Sequence, residues 1–311
     1  MKIKEVNCIF QQPWWLESVA PNAWDAVEVK RNGDLIARMP YAITRKNGLK
    51  LLTMPKLTQT LGPWLTLSTA KYAKQLGQQK DLMTSLISQL PHYDYFCQNF
   101  HYSVTNWLPF YWKGFHQTSY YTYCLDRLDD LEKVWSESQE NIRTDIRKAR
   151  KQVTVRTDLG VDDFLCVNAL TFKRQGKPLP YSSKLVQRLD TACLEYQARK
   201  IFFAEDIQGR IHAAIYIVWD ENSAYYLMGG ADPELRNSGA TSLLMWEAIQ
   251  FAATVTKKFD FEGSMIESVE RFFRAFGARQ IPYFQVTDMS RRMKLLKTGK
   301  EMLRFLTGFG Q

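Results

Sequence analysis

The chain has 311 residues, of which 45% are hydrophobic and 23% are charged, a composition typical of a globular protein with sizeable cores. No apolar run approaches the roughly 20 residues that a bilayer-spanning helix requires, which argues against a transmembrane segment. The formal net charge of +9 predicts anionic partners such as nucleotides, RNA or a membrane surface.

Cysteine and histidine usage bears on compartment and on metal binding. Five cysteines, an odd number without a CxxC pair, argue against a disulfide framework or a zinc site. The four histidines form no metal-ligand pattern, so no metal is expected. Because Met1–Phe10 lacks the hydrophobic region of a signal peptide, we expect a cytoplasmic protein. The sequence does not determine the oligomeric state.

The N-terminal half alternates short strands with one long helix. Asn32-Gly33 is the strongest short hairpin signal in the chain and joins the first two predicted strands. The predicted strands are Ala26–Lys30, Leu35–Thr44, Leu49–Met54, Tyr93–Tyr102 and Thr118–Leu125. Helical periodicity runs from about Thr69 to Leu90.

Two helices are predicted in the middle of the chain. Asp129 is a candidate N-cap for the first and Asn141 for the second. Arg143, Arg147 and Arg150 form a basic stripe on the second helix, at spacings i, i+4 and i+7. This stripe is either a solvated face or a surface that contacts phosphate or RNA.

The C-terminal half contains a meander followed by a helix and a strand. The predicted strands are Ile201–Glu205, Ile211–Trp219, Ser223–Met228 and Lys258–Phe261. Ser238 is the predicted N-cap of the helical run Leu243–Val255. A tail helix is predicted over Asp288–Leu306. Its basic residues permit weak contact with a membrane surface, although packing against the protein is the simpler interpretation.

The two halves repeat one order of elements, in which a meander precedes a long helix, a strand, a short aromatic helix and a final strand. We therefore predict two domains, residues 1–128 and 129–311; one domain with accidental similarity is the alternative.

The order meander, loop, helix and strand resembles the core of the GNAT family of acyltransferases. Arg236-Asn-Ser-Gly-Ala-Thr241 is similar to the family's Arg/Gln-x-x-Gly-x-Gly/Ala loop, with Thr241 at a position where Gly or Ala is usual. In that family, the loop's backbone amides bind a pyrophosphate at the positive end of the helix dipole. The resemblance implies that the donor is bound by Met228, Gly229, Arg236, Asn237, Ser238, Gly239, Ala240 and Thr241.

Further motifs resemble the FemABX family of aminoacyl and peptidyl transferases and its relatives in polysaccharide clusters. They are Asn141-Ile-Arg, Arg174-Gln-Gly-Lys-Pro178, Tyr225–Gly230, Phe259–Ser264 and Phe272–Gly277. The resemblance implies an α/β (α+β) fold of two tandem GNAT-like domains, with mixed, mostly antiparallel sheets flanked by helices. It also implies acyl-CoA or aminoacyl-tRNA as the co-substrate, and hence tRNA as a possible partner.

The same resemblance assigns several basic residues. It places Arg274 at the donor, and Arg174 and Lys177 at the phosphates of a nucleotide- or sugar-linked acceptor. Glu17 stands near the place of a second phosphate-binding lysine, which is a departure from the family pattern.

Acyl transfer to an amine requires a group that removes the amine's proton. Asp260 and Glu262 alternate with phenylalanines, so we expect both carboxylates on one face of a strand, where they bind or deprotonate the amine. Arg274 is either an anion clamp or the partner of Glu270. Candidate acceptor-binding residues are Trp64, Tyr111, Trp112 and Ser264.

These observations predict an N-acyltransferase that acts on an amine of a cell-wall or polysaccharide precursor. Because no cysteine or serine lies in a nucleophile motif, direct attack in a ternary complex is expected. The alternative is a non-catalytic ligand- or nucleotide-binding protein on a degenerate GNAT scaffold.

Overall fold

A computed structural model describes residues 2–263 and 265–296 of the chain. The helices are α1 Pro13–Val19, α2 Tyr72–Gln89, α3 Leu108–Trp112, α4 Leu131–Glu137, α5 Glu140–Ala149, α6 Val161–Arg174, α7 Ser183–Glu195, α8 Ala240–Val255 and α9 Glu267–Arg274. The strands are β1 Trp24–Arg31, β2 Asp34–Lys46, β3 Leu49–Thr53, β4 Trp64–Leu65, β5 Tyr95–Asn99, β6 His116–Leu125, β7 Val153–Arg156, β8 Arg199–Asp206, β9 Ile211–Trp219, β10 Ser223–Ala231, β11 Lys258–Asp260 and β12 Arg279–Met289.

The described residues form two compact units. The first contains the residues up to Tyr120 together with those from Tyr283 onward, and the second is Tyr121–Pro282. This division assigns the end of β12 to the N-terminal unit. The sequence-based boundary between residues 128 and 129 stays a prediction.

The sheet of the first unit has the strand order β1, β2, β3, β5, β12, with β4 paired to β2. The Asn32-Gly33 turn joins β1 to β2 with both residues at positive φ, as predicted for a tight hairpin. The C-terminal part of β12 pairs antiparallel with β5, from Gln285 opposite Asn99 to Met289 opposite Tyr95. Helix α2 buries Met83 and Leu86 in the core of this unit.

The sheet of the second unit has the order β6, β11, β10, β9, β8, β7. Strands β7 to β10 form an antiparallel meander, and α8 then leads to β11, which pairs parallel with β10. The predicted order of meander, loop, helix and strand is therefore present. Helix α8 is apolar on nearly all sides, and its residues Leu243–Trp246, Ala248 and Ile249 lie in the main core.

Several predicted helix ends are wrong by one or two residues. Asp130, not Asp129, caps α4 by accepting a hydrogen bond from the Lys133 amide at 2.9 Å. Helix α5 begins at Glu140 with Gln139 at its N-cap, two residues before the predicted cap Asn141. At the C-terminus, Asp288 and Met289 belong to β12 and residues 291–296 are helical. The rest of the predicted tail helix lies outside the described residues.

Two glycines, one on strand β10 and one on helix α2, provide a test of the packing. A Cβ on Gly230 would lie 2.5 Å from Cα of Asn168 and 2.7 Å from the Val167 carbonyl oxygen, both backbone atoms of α6, whereas a Cβ on Gly77 of α2 would meet no atom within 4 Å. We expect Gly230→Ala to lower the free energy of unfolding by about 1–3 kcal/mol or more, because β10 and α6 must move apart. Gly77→Ala, the matched control, should raise it by about 0.5–1 kcal/mol. Urea denaturation followed by circular dichroism measures both; equal effects would contradict the close packing of α6 on β10.

Candidate active site

The loop before α8 folds as a short 3-10 turn, Arg236–Ser238, followed by Gly239 in the left-handed conformation with φ 79°. Gly239 is the N-cap residue of α8, so the predicted cap at Ser238 is wrong by one position. Ser238 is buried, and its Oγ accepts a hydrogen bond from the Ala240 amide at 3.3 Å. Arg236 and Asn237 are exposed.

The first turn of α8 has backbone amides without acceptors. The first bond typical of the helix runs from the Leu243 amide to the Gly239 carbonyl oxygen at 3.1 Å. Among the residues that the structure describes, the Thr241 and Ser242 amides form no hydrogen bond. These two donors and the positive end of the helix dipole form an arrangement suited to an anion. The Thr241 side chain is half-buried.

Helix α5 holds this loop in place. A Cβ on Gly239 would lie 2.5 Å from the Asp145 carbonyl oxygen, so no other residue fits at position 239 without a backbone shift. The Lys148 ammonium donates a hydrogen bond to the Asn237 carbonyl oxygen. One lysine and one close backbone contact of α5 thus fix the loop on both sides of Ser238.

The predicted basic stripe of α5 is largely paired with acidic side chains. Arg143 and Arg147 both contact the Glu140 carboxylate, at 2.6 and 3.1 Å, and Arg150 contacts Glu247 of α8 at 3.2 Å. This agrees with the solvated-face interpretation, and the phosphate- or RNA-facing alternative stays a prediction.

Strand β10 carries a bulge between Tyr226 and Met228, beside the predicted donor residues Met228 and Gly229. A Cβ on Gly229 would lie 1.9 Å from the Tyr226 hydroxyl. The Asn168 amide of α6 donates to the Gly229 carbonyl oxygen at 2.7 Å and accepts from the Tyr181 hydroxyl at 3.0 Å. The Asn168 side chain of α6 therefore fixes the strand beside the bulge. Met228 is buried.

Asp260 and Glu262 lie close together, but not because they share one face of a strand, as the sequence predicted. Strand β11 ends at Asp260, and Glu262 has φ 59°, so the two side chains do not alternate along one strand face. Instead, the chain turns, and the Glu262 amide donates to Oδ1 of Asp260 at 2.8 Å. A left-handed conformation at a glutamate costs on the order of 1 kcal/mol and is typical of a functional turn.

Strand β6 packs against this turn. The Thr122 hydroxyl and the Cys124 thiol donate to the Asp260 carboxylate. A Cβ on Gly263 would lie 2.1 Å from the Tyr121 carbonyl oxygen, so only glycine permits this approach. Ser264, the next predicted site residue, lies outside the described residues.

Burial raises the pKa of both carboxyl groups. It raises that of Asp260 to about 6, while the hydrogen bonds from Thr122, the Glu262 amide and Cys124 lower it in part. The pKa of Glu262 is raised well above its usual range, first by burial and then by the negative charge of Asp260. Burial also raises the pKa of the Tyr226 hydroxyl, with further contributions from Tyr181 and Glu262. A carboxylate with a raised pKa is a stronger base once ionised.

Arg274 pairs with Glu270 one turn earlier on α9, at 2.8 Å between Nε and Oε1. The Tyr123 hydroxyl also donates to Glu270, at 2.8 Å, and the Gln280 side chain donates to that hydroxyl at 2.6 Å. Arg274 is still half exposed. The Glu270 partnership is thus present, and contact of Arg274 with a donor stays a prediction.

The predicted acceptor-binding residues lie on several elements. Arg174 ends α6 and Lys177 follows two residues after Gln175; both are exposed. In the first unit, Trp64 lies on β4 opposite Arg38 and is half-buried, and Tyr111 and Trp112 of α3 are each 59% exposed. Their role in acceptor binding stays a prediction.

The structure adds residues to this region that the sequence did not indicate: Thr122, Asn168, Tyr181, Tyr226 and Lys148. Thr122, Lys148 and Asn168 act through contacts between elements far apart in the chain, such as the 138 residues that separate Thr122 from Asp260. Only Tyr226, beside the Gly229-Gly230 pair, carried a local signal, because a strand glycine often marks a bulge.

Within residues 2–263 and 265–296, no group of three or more His, Cys, Asp and Glu side chains is arranged to hold a metal ion. No helix in that part of the chain is both long and apolar enough to cross a membrane.

Residues 136–273 match the family model described as acetyltransferase (GNAT) domain. No curated protein sequence matches the chain. Among solved structures, FemX is similar with a TM-score of 0.66 and 12% identity, over 89% of this chain and 91% of FemX.

Two further structures are similar over most of their length. The C-terminal domain of a putative lysylphosphatidylglycerol synthetase from Agrobacterium fabrum has a TM-score of 0.54 and 11% identity, over 90% of this chain and 89% of that one. A tandem GNAT protein from the clavulanic acid biosynthesis pathway has a TM-score of 0.51 and 10% identity, over 86% and 83%. At these identities the likeness establishes the fold, and the predicted fold class of two GNAT-like domains is confirmed.

The raised pKa of Asp260 predicts how stability depends on pH. Because the folded-state pKa lies near 6 and the unfolded value near 3.9, the ionised form is disfavoured in the folded state. The contribution of Asp260 to the free energy of unfolding is fully present below pH 4 and is lost as the pH rises through 6. The loss amounts to about 3 kcal/mol. Asp260→Asn should remove this loss, and urea denaturation between pH 4 and pH 7.5 measures it. Glu195→Gln, an exposed carboxylate at the end of α7, is the control; an Asp260→Asn curve parallel to wild type would contradict the raised pKa.

Proposed function

We propose, from the acetyltransferase (GNAT) domain that residues 136–273 match, that the chain is an N-acyltransferase that uses an acyl-CoA donor and an amine acceptor. The observation that carries the proposal is the pair of free amides at Thr241 and Ser242, next to a glycine that no other residue can replace. Two adjacent donors at a helix N-terminus suit a pyrophosphate, which supports a coenzyme A thioester over an aminoacyl-tRNA. We retain aminoacyl-tRNA as the second donor to be tested.

The donor supplies an activated carbonyl carbon and a thiolate leaving group. The chain's own residues would then have three roles. The α8 amides and Gly239 bind the pyrophosphate, and the bulge beside Gly229 brings backbone groups of β10 near the donor. Glu262 accepts the amine's proton when its carboxylate is ionised, so that the neutral amine attacks the carbonyl carbon. Carbon–nitrogen bond formation and carbon–sulfur bond cleavage complete the transfer without an enzyme-bound acyl group, and the proton that the nitrogen then loses goes to the coenzyme A thiolate, which leaves as the thiol.

Asp260 has a positioning role in this proposal. It holds the Glu262 amide and is itself held by Thr122, which places Glu262 at the turn. Its negative charge raises the pKa of Glu262 and makes that carboxylate a stronger base. Arg274 remains half exposed beside Glu270 and would contact the donor's phosphates or carbonyl oxygen.

The acceptor we propose is an amine of a cell-wall or polysaccharide precursor that carries a phosphate group. The support is the FemABX-like motif around Lys177 and the position of that motif in the fold. Lys177 lies on the segment between α6 and Tyr181, and Tyr181 bonds to Asn168, which in turn bonds to Gly229. Arg174 and Lys177 thus supply two exposed positive charges on a segment tethered to the β10 bulge.

Steady-state kinetics with acetyl-CoA, aminoacyl-tRNA and a panel of amines tests this function. We expect Glu262→Gln to lower kcat by about 10²–10³-fold while the donor KM changes little, because the base is lost but the α8 amides remain. The wild-type rate should rise with pH through the raised pKa of Glu262, and the variant should lack this rise.

Glu195→Gln is the matched control for these kinetics and should retain wild-type rates. Full activity in Glu262→Gln would refute the assigned base. Donor binding without turnover of any acceptor would favour the non-catalytic alternative.

A further inference from the structure

Six large apolar side chains of the first unit are exposed on neighbouring segments. They are Leu67, Tyr72, Leu76, Leu108, Tyr111 and Trp112, which we call the α2–α3 patch. Leu67 is 97% exposed and Trp112 59% exposed, so these side chains leave large apolar areas in water. Isolated exposed apolar residues are ordinary, but a group of six is not.

Contacts within the unit bring these segments together. Tyr72 and Leu76 lie one turn apart on α2, and Gln79 follows on the same face. The Asn106 side chain, two residues before Leu108, donates to Oε1 of Gln79 at 3.0 Å. At the other end, the Gln75 side chain donates to the carbonyl oxygens of Ser68 and Ala70, at 3.0 and 2.7 Å, which holds the segment of Leu67 against the start of α2.

The charged side chains on the two segments that carry the α2–α3 patch are all positive. The segments 64–80 and 106–113 contain four lysines, Lys71, Lys74, Lys80 and Lys113, and no acidic residue. Residues 35–120 include nine lysines and arginines and two acidic residues, Asp81 and Asp94. Of these, Asp94 is buried and accepts the Lys50 amide, and Asp81 contacts Lys80.

We propose that the α2–α3 patch docks the protein on an anionic lipid bilayer. Tryptophan and tyrosine are the residues that favour the interfacial layer of a membrane, and lysines beside them attract anionic headgroups. The three exposed leucines favour a bilayer over RNA, because nucleobases stack on flat rings and gain little from branched aliphatic side chains. The contact is peripheral and does not depend on the proposed acyl transfer.

Co-sedimentation of the 311-residue chain with vesicles tests this proposal. We expect binding to vesicles of phosphatidylcholine with 30% phosphatidylglycerol, and much weaker binding to phosphatidylcholine alone. The binding should weaken as salt is raised, since screening acts on the lysine contribution. Leu67→Ser/Leu108→Ser should lower the partition coefficient by about tenfold or more, and Lys71→Gln/Lys74→Gln by about fivefold per lysine.

Ile207→Ser is the matched control. Ile207 is 95% exposed in the second unit, at the turn between β8 and β9, and its replacement should leave vesicle binding unchanged. If Leu67→Ser/Leu108→Ser binds vesicles as strongly as the wild type, the proposal is overturned. The vesicle binding would then come from another part of the chain, such as the basic C-terminal segment.

Two other results would also overturn the proposal. One is the absence of vesicle binding together with an oligomer that the leucine substitutions dissociate, which would make the patch an interface between copies of the chain. The other is tRNA binding that falls in the leucine variant while vesicles are not bound.

Discussion

The contact between helix α5 and the loop before α8 constrains the proposed donor site more than any other interaction. Gly239 lies so close to the Asp145 backbone that a side chain is excluded, and Lys148 binds the carbonyl oxygen of Asn237. These contacts hold the loop in a conformation in which, among the described residues, the Thr241 and Ser242 amides form no hydrogen bond. An anion bound there would replace water as their acceptor without a rearrangement of the chain, and such preorganisation favours tight binding.

Strand β6 positions the acidic side chains of the site, as α5 positions the loop before α8. Thr122 and Cys124 donate to Asp260, while Tyr123, between them in sequence, donates to Glu270, the partner of Arg274. One strand thus positions both the carboxylate pair and the arginine. The arrangement costs stability, since Asp260 is buried with a raised pKa and Glu262 has a positive φ. Such local costs are typical of functional sites, where the surrounding fold enforces a geometry that isolated chains avoid.

The elements of the second unit could be predicted because each has a local signal. Short apolar, β-branched and aromatic runs between turn residues indicated β8 to β10, and the apolar run after Ser238 indicated α8. The details of the site could not be predicted in this way. Ser238 is a good cap by propensity, but Gly239 takes the cap position because only glycine tolerates its approach to Asp145. The Asp260–Thr122 and Lys148–Asn237 bonds join residues 138 and 89 positions apart, and no local pattern encodes them. The Arg274–Glu270 pair was foreseeable, since its i, i+4 spacing is itself a local signal.

The central claim is that the first amides of α8 bind the pyrophosphate of the acyl donor. Its most direct test is a titration of ¹⁵N-labelled protein with coenzyme A, followed at the backbone amides of Thr241 and Ser242, with pantetheine, which lacks the pyrophosphate, as the control ligand. The account predicts that coenzyme A shifts both amide resonances downfield, because each gains a charged acceptor, and that pantetheine does not. Coenzyme A binding that leaves Thr241 and Ser242 unchanged, or that perturbs amides elsewhere instead, would contradict the account.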